Sequence, residues 1–362
     1  MGSISFSDHP GKTFLTPLLV HYTRNGSIPH LTWNVVETLQ PSILSCPLVV
    51  PLPSNFENLM EILKALEQDY RTFCRITSPI ILSIHDPLVR IKHGYNTKKG
   101  ISIWSTAGRS VINVDSYIKL VKSIKPSVFQ SLCDSDTPRE SCSNKRLSTS
   151  VKRTVEYLDY IDLKREYDDE LASLPLLASL EGGMDSKSRS ISLKDTLVDA
   201  DKKKLVGFVL EGFHNQGHPS DFVMDMETNS IIKSTMDQVS QDSVRVMFGS
   251  FSPEIMLSLF SLGIDVVDSS FATGLTEEGK ALVISKQDSI PGSKILDLNQ
   301  DLFREDMDPL SVSCRCHSCL KGFSRSYIHH LINTKEMLAR VLLNLHNLYS
   351  LQEFVSLLQR KD

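Results

Sequence analysis

Cysteine is scarce in this 362-residue chain. There are seven, and four of them, Cys46, Cys74, Cys133 and Cys142, are scattered without a pairing rhythm. So thin and odd a set excludes a disulfide scaffold and points to a reducing, intracellular compartment. Long apolar runs are missing too. No window approaches eighteen consecutive apolar residues, so no membrane-spanning helix is expected. Charge of one sign is also lacking: 39 Lys and Arg stand against 43 Asp and Glu, a net −4. That argues against a protein that coats nucleic acid generally, though not against a local basic face. The opening residues have no basic stretch followed by an apolar core, so no signal peptide is expected. Phe6 stands where a myristoylation pattern needs a hydroxyl. A soluble globular protein remains, with 41% apolar and 23% charged residues. Its length suits two domains, or one α/β barrel with an appendage.

What is present begins with short apolar runs: 47–52, 79–84, 101–106, 127–132, 175–180, 205–210, 243–249 and 264–270. Near-continuous runs of this length suit strands buried on both faces of a parallel sheet. Helix signals lie between them. Ser54 and Glu57 form a capping-box pattern, Asp115 can cap the segment that Pro126 stops, and Ser252-Pro253 opens a helix that Gly263 closes. Eight strands alternating with helices predict a (β/α)8 TIM barrel, with a doubly wound sheet as the alternative. Residues 85–100 read as a loop where a helix belongs, and 133–150 as a long polar surface loop. The polar stretch 285–300 leads into the tail. The expected division is therefore a barrel with an N-terminal extension over 1–285 and a metal-binding subdomain with its C-terminal helix over 286–362.

The tail carries the densest chemistry. Cys314, Cys316 and Cys319 put three thiols on one tight knuckle, the usual first part of a tetrahedral zinc site. Three thiolates need a fourth ligand, or a water in an open catalytic site; a closed structural site is expected. From Arg325 the apolar residues Ile328, Leu331, Ile332, Leu338, Val341, Leu342 and Leu345 recur at helical spacing, predicting one long amphipathic helix. His329, His330 and His346 all lie on it as candidate fourth ligands, whereas His317 is too tightly enclosed between two cysteines. A histidine late on such a helix can return to the knuckle only if the helix bends or breaks.

The CxCxxC knuckle, "SRSYIHHL" and a helix bearing "LLNLHN" together resemble the zinc subdomain of the tRNA-guanine transglycosylase family. Weaker matches run along the chain: "TPLLVHYTRNGSIPHLT" near the start, "LEGG" at 180–183, "GFVLEGF" at 207–213 and the stretch 248–270. The resemblance implies a barrel with one structural zinc held by Cys314, Cys316, Cys319 and His346. It also implies the family's reaction, exchange of a base at the tRNA wobble position. There an aspartate attacks the ribose anomeric carbon and a second aspartate manages the proton.

Departures from the family pattern sit at the reacting centre. Asp268 matches the nucleophile position, but the Pro-Thr-Arg that should follow reads Ala272-Thr273-Gly274. The segment that should supply the base reads "WSTAGRS", with Ala107-Gly108 at the glycine pair, Ser105 before them and Arg109 replacing an aromatic. An acidic pocket motif reads Leu132-Cys133-Asp134. Two glycine-rich purine-reading segments have become Glu181-Gly182-Gly183 and Glu211-Gly212-Phe213. Loss of a general base alone costs about 10²- to 10⁴-fold, so Asp268 is expected to remain as a strand-end or helix-capping carboxylate. The resemblance then implies a non-catalytic chain. It would pair as a heterodimer with a catalytic homologue, bury the Leu338–Leu345 stripe against it, and support queuine insertion into tRNA. Arg325, Lys321 and Lys202–Lys204 would be its phosphate contacts. Two alternatives remain: an active transglycosylase using Asp268 with Asp134 or Glu181, and a zinc-stabilised tRNA-binding scaffold. The resemblance also implies a cytoplasmic protein with peripheral association to the mitochondrial outer membrane.

Overall fold

Eight short strands, each giving a buried apolar side chain to the centre, close into a parallel barrel. The computed structural model describes residues 2–52, 56–105, 108–139, 142–198, 203–285 and 291–360. Two short strands, β1 (Ser3–Ser5) and β2 (Thr13–Leu15), form an antiparallel hairpin ahead of the barrel. The barrel strands that follow are β3 (Leu18–Tyr22), β4 (Leu48–Pro51) and β5 (Ile80–Ser83). Two strands outside the barrel come next, β6 (Ile101–Ser105) and β7 (Gly108–Ile112). The barrel resumes with β8 (Val128–Gln130), β9 (Leu176–Leu180), β10 (Leu205–Leu210), β11 (Val244–Val246) and β12 (Val266–Asp268). Each barrel strand pairs in parallel with the next, and β12 returns to β3 with Val266 opposite Leu18. Val20, Val49, Ile81, Val128, Leu177, Val209, Val246 and Val266, one from each strand, fill the centre. Their neighbours, such as Leu19, Val50, Leu82, Phe129 and Val267, pack in the outer core with the helices. Burying a side chain of this size contributes about 1.5–3 kcal/mol.

The predicted strand count holds, but one member differs. Residues 101–106 are no barrel strand: β6 pairs antiparallel with β7, Trp104 opposite Arg109. Its alternation, with Ile101 and Ile103 buried, is the signature of a hairpin with one face on the core. The missing barrel strand is β3, where His21 and Tyr22 interrupt the apolar run although all five residues are buried. The loop 85–100 is thereby explained, since the β5 unit makes an excursion through β6–β7 before its helix, Val114–Ile124. Asn113 rather than Asp115 caps that helix, accepting from the Ser116 N–H at 2.8 Å. Ser252 and Pro253 do open the helix Pro253–Ser261. Ser54 lies outside the described residues.

The stretch after β8 is not surface. Ser131 to Thr137 are all buried, because their polar groups find partners inside: Asp134 accepts from Arg146, from Arg153 at 2.9 Å and from Asn96 at 2.8 Å. The helix Asn144–Arg165 starts at Ser143, which caps it.

Beyond the barrel, β13 (Lys280–Ser285) and β14 (Gly292–Asp297) form an antiparallel hairpin. The cysteine knuckle follows, then the helices Arg325–Asn333 and Met337–Gln359. The single predicted helix is broken, with Lys335 at φ +58° between the two. The last helix serves two cores. Ala339, Leu342 and Leu343 pack with Leu296, Leu310 and Ile328; Leu345, Leu348, Leu351 and Phe354 join the barrel's outer core. The Leu338–Leu345 stripe is therefore largely consumed within the chain: Leu342, Leu343 and Leu345 are buried, and only Leu338, at 41% exposure, is open. No helix among the described residues is long and apolar enough to cross a membrane.

Candidate metal centre and barrel mouth

Main-chain geometry gathers the cysteines. Cys316 caps the short helix His317–Leu320, its Sγ accepting from the Cys319 N–H at 3.4 Å. The Cys316 N–H in turn donates to Cys314 Sγ at 3.4 Å. The break between the last two helices brings His346 back onto this knuckle. Its Nδ1 lies 3.6 Å from Cys314 Sγ, 3.5 Å from Cys316 Sγ and 3.4 Å from Cys319 Sγ. A tetrahedral ion bonded at about 2.3 Å to sulfur and about 2.0 Å to nitrogen sets sulfur–nitrogen edges of about 3.5 Å. The four donors thus fit a metal of this size and could hold one.

The second nitrogen of His346 fixes its role. Nε2 lies 2.9 Å from the Leu282 carbonyl, which can only accept, so Nε2 carries the proton and the Nδ1 lone pair faces the sulfurs. Hydrogen bonding within the thiol trio, from Cys314 and then Cys316, pulls Cys319 down, while the same kind of contact pushes Cys316 up. The other helical histidines serve elsewhere: His329 bonds the Leu298 carbonyl at 2.7 Å, and His330 is exposed.

At the opposite pole of interest, the C-terminal ends of the barrel strands, polar side chains are buried against one another. Asp268 is fully buried, and each of its oxygens accepts from a main-chain donor, Gly249 N–H and Ser270 N–H, both at 2.7 Å. Burial nevertheless pushes its carboxyl up to about 6. The Ala272-Thr273-Gly274 that follows lies in the buried helix Ser270–Glu277. Gly274 is required there, because a Cβ would come within 2.3 Å of the His218 ring.

Glu211 and Glu181 follow the C-terminal ends of the paired strands β10 and β9. Glu211 accepts from Gln130 at 2.7 Å; one Glu181 oxygen takes Thr137 and Gly182, and the other has no partner. Burial pushes Glu181 up to about 8 and Glu211 up to about 7. Arg189 is buried beside them. It donates to the carbonyls of Gly183, Leu180 and Glu211, and its guanidinium lies 3.8 Å over the Phe213 ring. Gly212, at φ +79°, is forced by the same packing, since a Cβ would meet Glu181 at 2.4 Å. His85, Cys133 and Glu211 bring three further donor atoms together, though His85 is already bonded to Ser135 at 2.6 Å and Glu211 to Gln130. The side chains at the mouth are thus bonded mostly to the protein's own groups.

A family model described as "Queuine tRNA-ribosyltransferase" matches residues 1–361. The chain belongs to the queuine tRNA-ribosyltransferase family. Proteins named "Queuine tRNA-ribosyltransferase accessory subunit 2" are similar to it along nearly all its length. The one from Ixodes scapularis is 34% identical over 95% of this chain and 89% of its own. Those from Aedes aegypti and Drosophila mojavensis are 31% and 30% identical, over 95% and 99% of this chain and 82% and 85% of theirs.

Within this queuine tRNA-ribosyltransferase fold, Trp104 of the segment "WSTAGRS" is on β6, and its Gly108 and Arg109 are on β7. Ala107 lies outside the described residues. Asp134 is held between Arg146 and Arg153 rather than open to a substrate. Among the suggested phosphate contacts, Lys203 is buried and paired with Asp159 at 2.8 Å, Arg325 is paired with Asp306, and Lys202 lies outside the described residues.

Two residues escaped sequence reasoning, Asn344 and Asn347. Asn344 donates to the Pro29 carbonyl at 2.5 Å. Asn347 accepts from the Leu282 N–H at 2.8 Å and donates to the Lys280 carbonyl at 2.9 Å. The available signal was an asparagine pair inside an otherwise apolar helix, where buried amides must find partners.

Proposed function

We propose that this chain is the non-catalytic accessory subunit of a heterodimeric queuine tRNA-ribosyltransferase, supporting exchange of guanine for queuine at the tRNA wobble position. The observation that carries this reading is the state of Asp268. Its carboxylate is fully buried, and each oxygen accepts a main-chain N–H, one from Gly249 and one from Ser270, as expected of a strand-end capping group. Other strand-end groups are spent inside the chain: Glu211 accepts from Gln130, and Arg189 donates to the Glu211 carbonyl with its guanidinium over the Phe213 ring. The names of the similar proteins agree with an accessory role.

We assign a single structural zinc to Cys314, Cys316, Cys319 and His346. Four protein donors close a tetrahedral shell, leaving no open position for substrate or water. What the metal supplies when bound is a cross-link between the knuckle and the last helix. The catalytic homologue would dock on the metal-bearing side. Leu302, Met307, Val312, Leu320 and Met337 lie there at 66%, 77%, 84%, 69% and 85% exposure, and such a concentration of bare apolar side chains calls for a partner. We assign the pair to the cytoplasm, with peripheral attachment to the mitochondrial outer membrane, on family resemblance.

The deciding experiment measures incorporation of labelled queuine or guanine into tRNA with this chain alone, the catalytic homologue alone, and both. Activity only in the mixture is expected. Activity of this chain alone that disappears in Asp268→Asn would establish a working transglycosylase instead. No effect in the mixture together with no co-purification would leave a zinc-stabilised tRNA-binding scaffold.

A further inference from the structure

Between Pro87 and Asn113 the sequence carries Arg90, Lys92, Lys98, Lys99 and Arg109 and no aspartate or glutamate, in a chain whose net charge is −4. The fold sets this stretch apart. It leaves the C-terminal end of β5, runs through the β6–β7 hairpin and returns by the helix Val114–Ile124. In a parallel barrel every strand's C-terminal end lies on one rim, so the excursion stands beside the mouth that holds Asp268, Glu181 and Glu211.

Its position is fixed by bonds directed inward. His93 Nδ1 and the Gly94 N–H both reach Asp136 at 2.8 Å, Asn96 reaches Asp134 at 2.8 Å, and the Ile91 N–H donates to the Asn215 carbonyl at 2.7 Å. Asp134 and Asp136 are thus engaged from the inner side, and the cations are left outside. Arg90, Lys92, Lys98, Lys99 and Arg109 are all exposed. Arg90 pairs with Asp221 at 3.3 Å, and no ion pair among the described residues involves the other four.

Aromatic rings are interleaved with these charges. Tyr95 meets Trp104 edge to face at 5.1 Å, Arg109 lies 5.1 Å over the Tyr95 ring, and Lys92 lies 5.0 Å over Trp104. The rings hold two of the cations in defined directions, and Tyr95 keeps 44% of its surface open.

We propose that this excursion is the RNA-contacting face of the chain, taking the phosphodiester backbone of a single-stranded stretch of tRNA along Lys98, Lys99 and Arg109. The inference rests on the tRNA-linked reading above and adds to it the surface that does the contacting. Unpaired cations around a partly open aromatic ring are the chemistry that single-stranded nucleic acid selects. A docked protein would want an apolar centre, and Tyr95 and Val111 are the only large apolar side chains exposed on this excursion among the described residues. Contacts of this kind position RNA without reading its sequence.

The test is tRNA binding by the full-length chain paired with its catalytic homologue, followed by fluorescence anisotropy across a salt series. Lys98→Ala/Lys99→Ala should weaken binding roughly tenfold at moderate salt and reduce the steepness of the log–log salt dependence by about 1.5, close to the loss of two phosphate contacts. Lys64→Ala/Lys119→Ala, on the outer helices, removes the same charge and should change neither. Wild-type pairs that bind tRNA while the hairpin variant binds equally well, with the same salt slope, would overturn this inference alone. Wild-type pairs that bind no tRNA would remove the tRNA-linked reading and this surface with it. A hairpin variant that keeps tRNA affinity but no longer co-elutes with the homologue would reassign the face to a protein partner and likewise overturn the proposal.

Discussion

His346 and Asn347, adjacent on the last helix, take both main-chain groups of a single residue, Leu282. The imidazole Nε2 is 2.9 Å from its carbonyl, and the Asn347 side-chain oxygen is 2.8 Å from its N–H. Leu282 lies on β13, whose other edge pairs with β14, so these two side chains finish an edge that would otherwise be open. The metal ligand and the strand clamp are one device.

Metal content gives the first test. Cys316→Ser and His346→Ala should fall from one bound zinc per chain to near zero, with a lower melting temperature, since the site's binding energy is also folding energy. Elemental analysis with a thermal melt measures both. Undiminished zinc in the two variants would remove the assignment.

Asn347→Leu should separate clamp from ligand. It leaves the Leu282 N–H and Lys280 carbonyl buried and unpaired, at about 1–3 kcal/mol for each orphaned group. Denaturant unfolding should therefore record a clear loss, while zinc stays at one equivalent at neutral pH.

Asp268→Asn should leave the mixture's exchange rate, per folded pair, unchanged. It should lower stability by about 1–3 kcal/mol, because an amide NH2 then faces a main-chain N–H where a carboxylate oxygen accepted. A fall in rate with stability intact would mean that Asp268 does chemistry.

The mouth carboxyls set a pH dependence whose sign follows from burial. Glu211 and Glu181 are pushed up to about 7 and about 8 from an ordinary 4.5. Between about pH 4.5 and those values the folded chain holds protons that the unfolded chain has released, so stability falls as pH rises through the window. Unfolding midpoints between pH 6 and 8.5 should decline, and Glu181→Gln should flatten the decline. Equal slopes in wild type and variant would count against the buried-acid account.

Gly274→Ala would drive a methyl into the His218 ring. Overpacking of that kind costs about 1–3 kcal/mol, measurable as a lower melting temperature with zinc retained.

The barrel was legible because strands buried on both faces leave uninterrupted apolar runs, and seven of the eight expected runs are barrel strands. β3 was hidden by His21, buried without a partner for either ring nitrogen, a polarity that periodicity cannot anticipate. β6 was misplaced because its alternation resembles a strand without saying which sheet it joins. The knuckle was legible from spacing alone. Which histidine returned to it was not, since that depended on a helix break at Lys335 that no proline or glycine announces. The buried residues Cys133–Thr137 were read as surface because their polar groups have partners distant in sequence, such as Arg153 for Asp134.

Asn344 reaches back across 315 residues to Pro29, and β3 completes its pairing only when β12 arrives. For a chain emerging from the ribosome, the barrel pairing waits for β12 at residues 266–268 and the Pro29 tie waits for the last helix. The first strand must wait with one edge unpaired, and the three thiols wait for a ligand encoded 27 residues after the last of them. A chain truncated ahead of the last helix would keep β12, and with it the strands that close the barrel, but would lose His346 from the thiols and the Asn344 tie to Pro29.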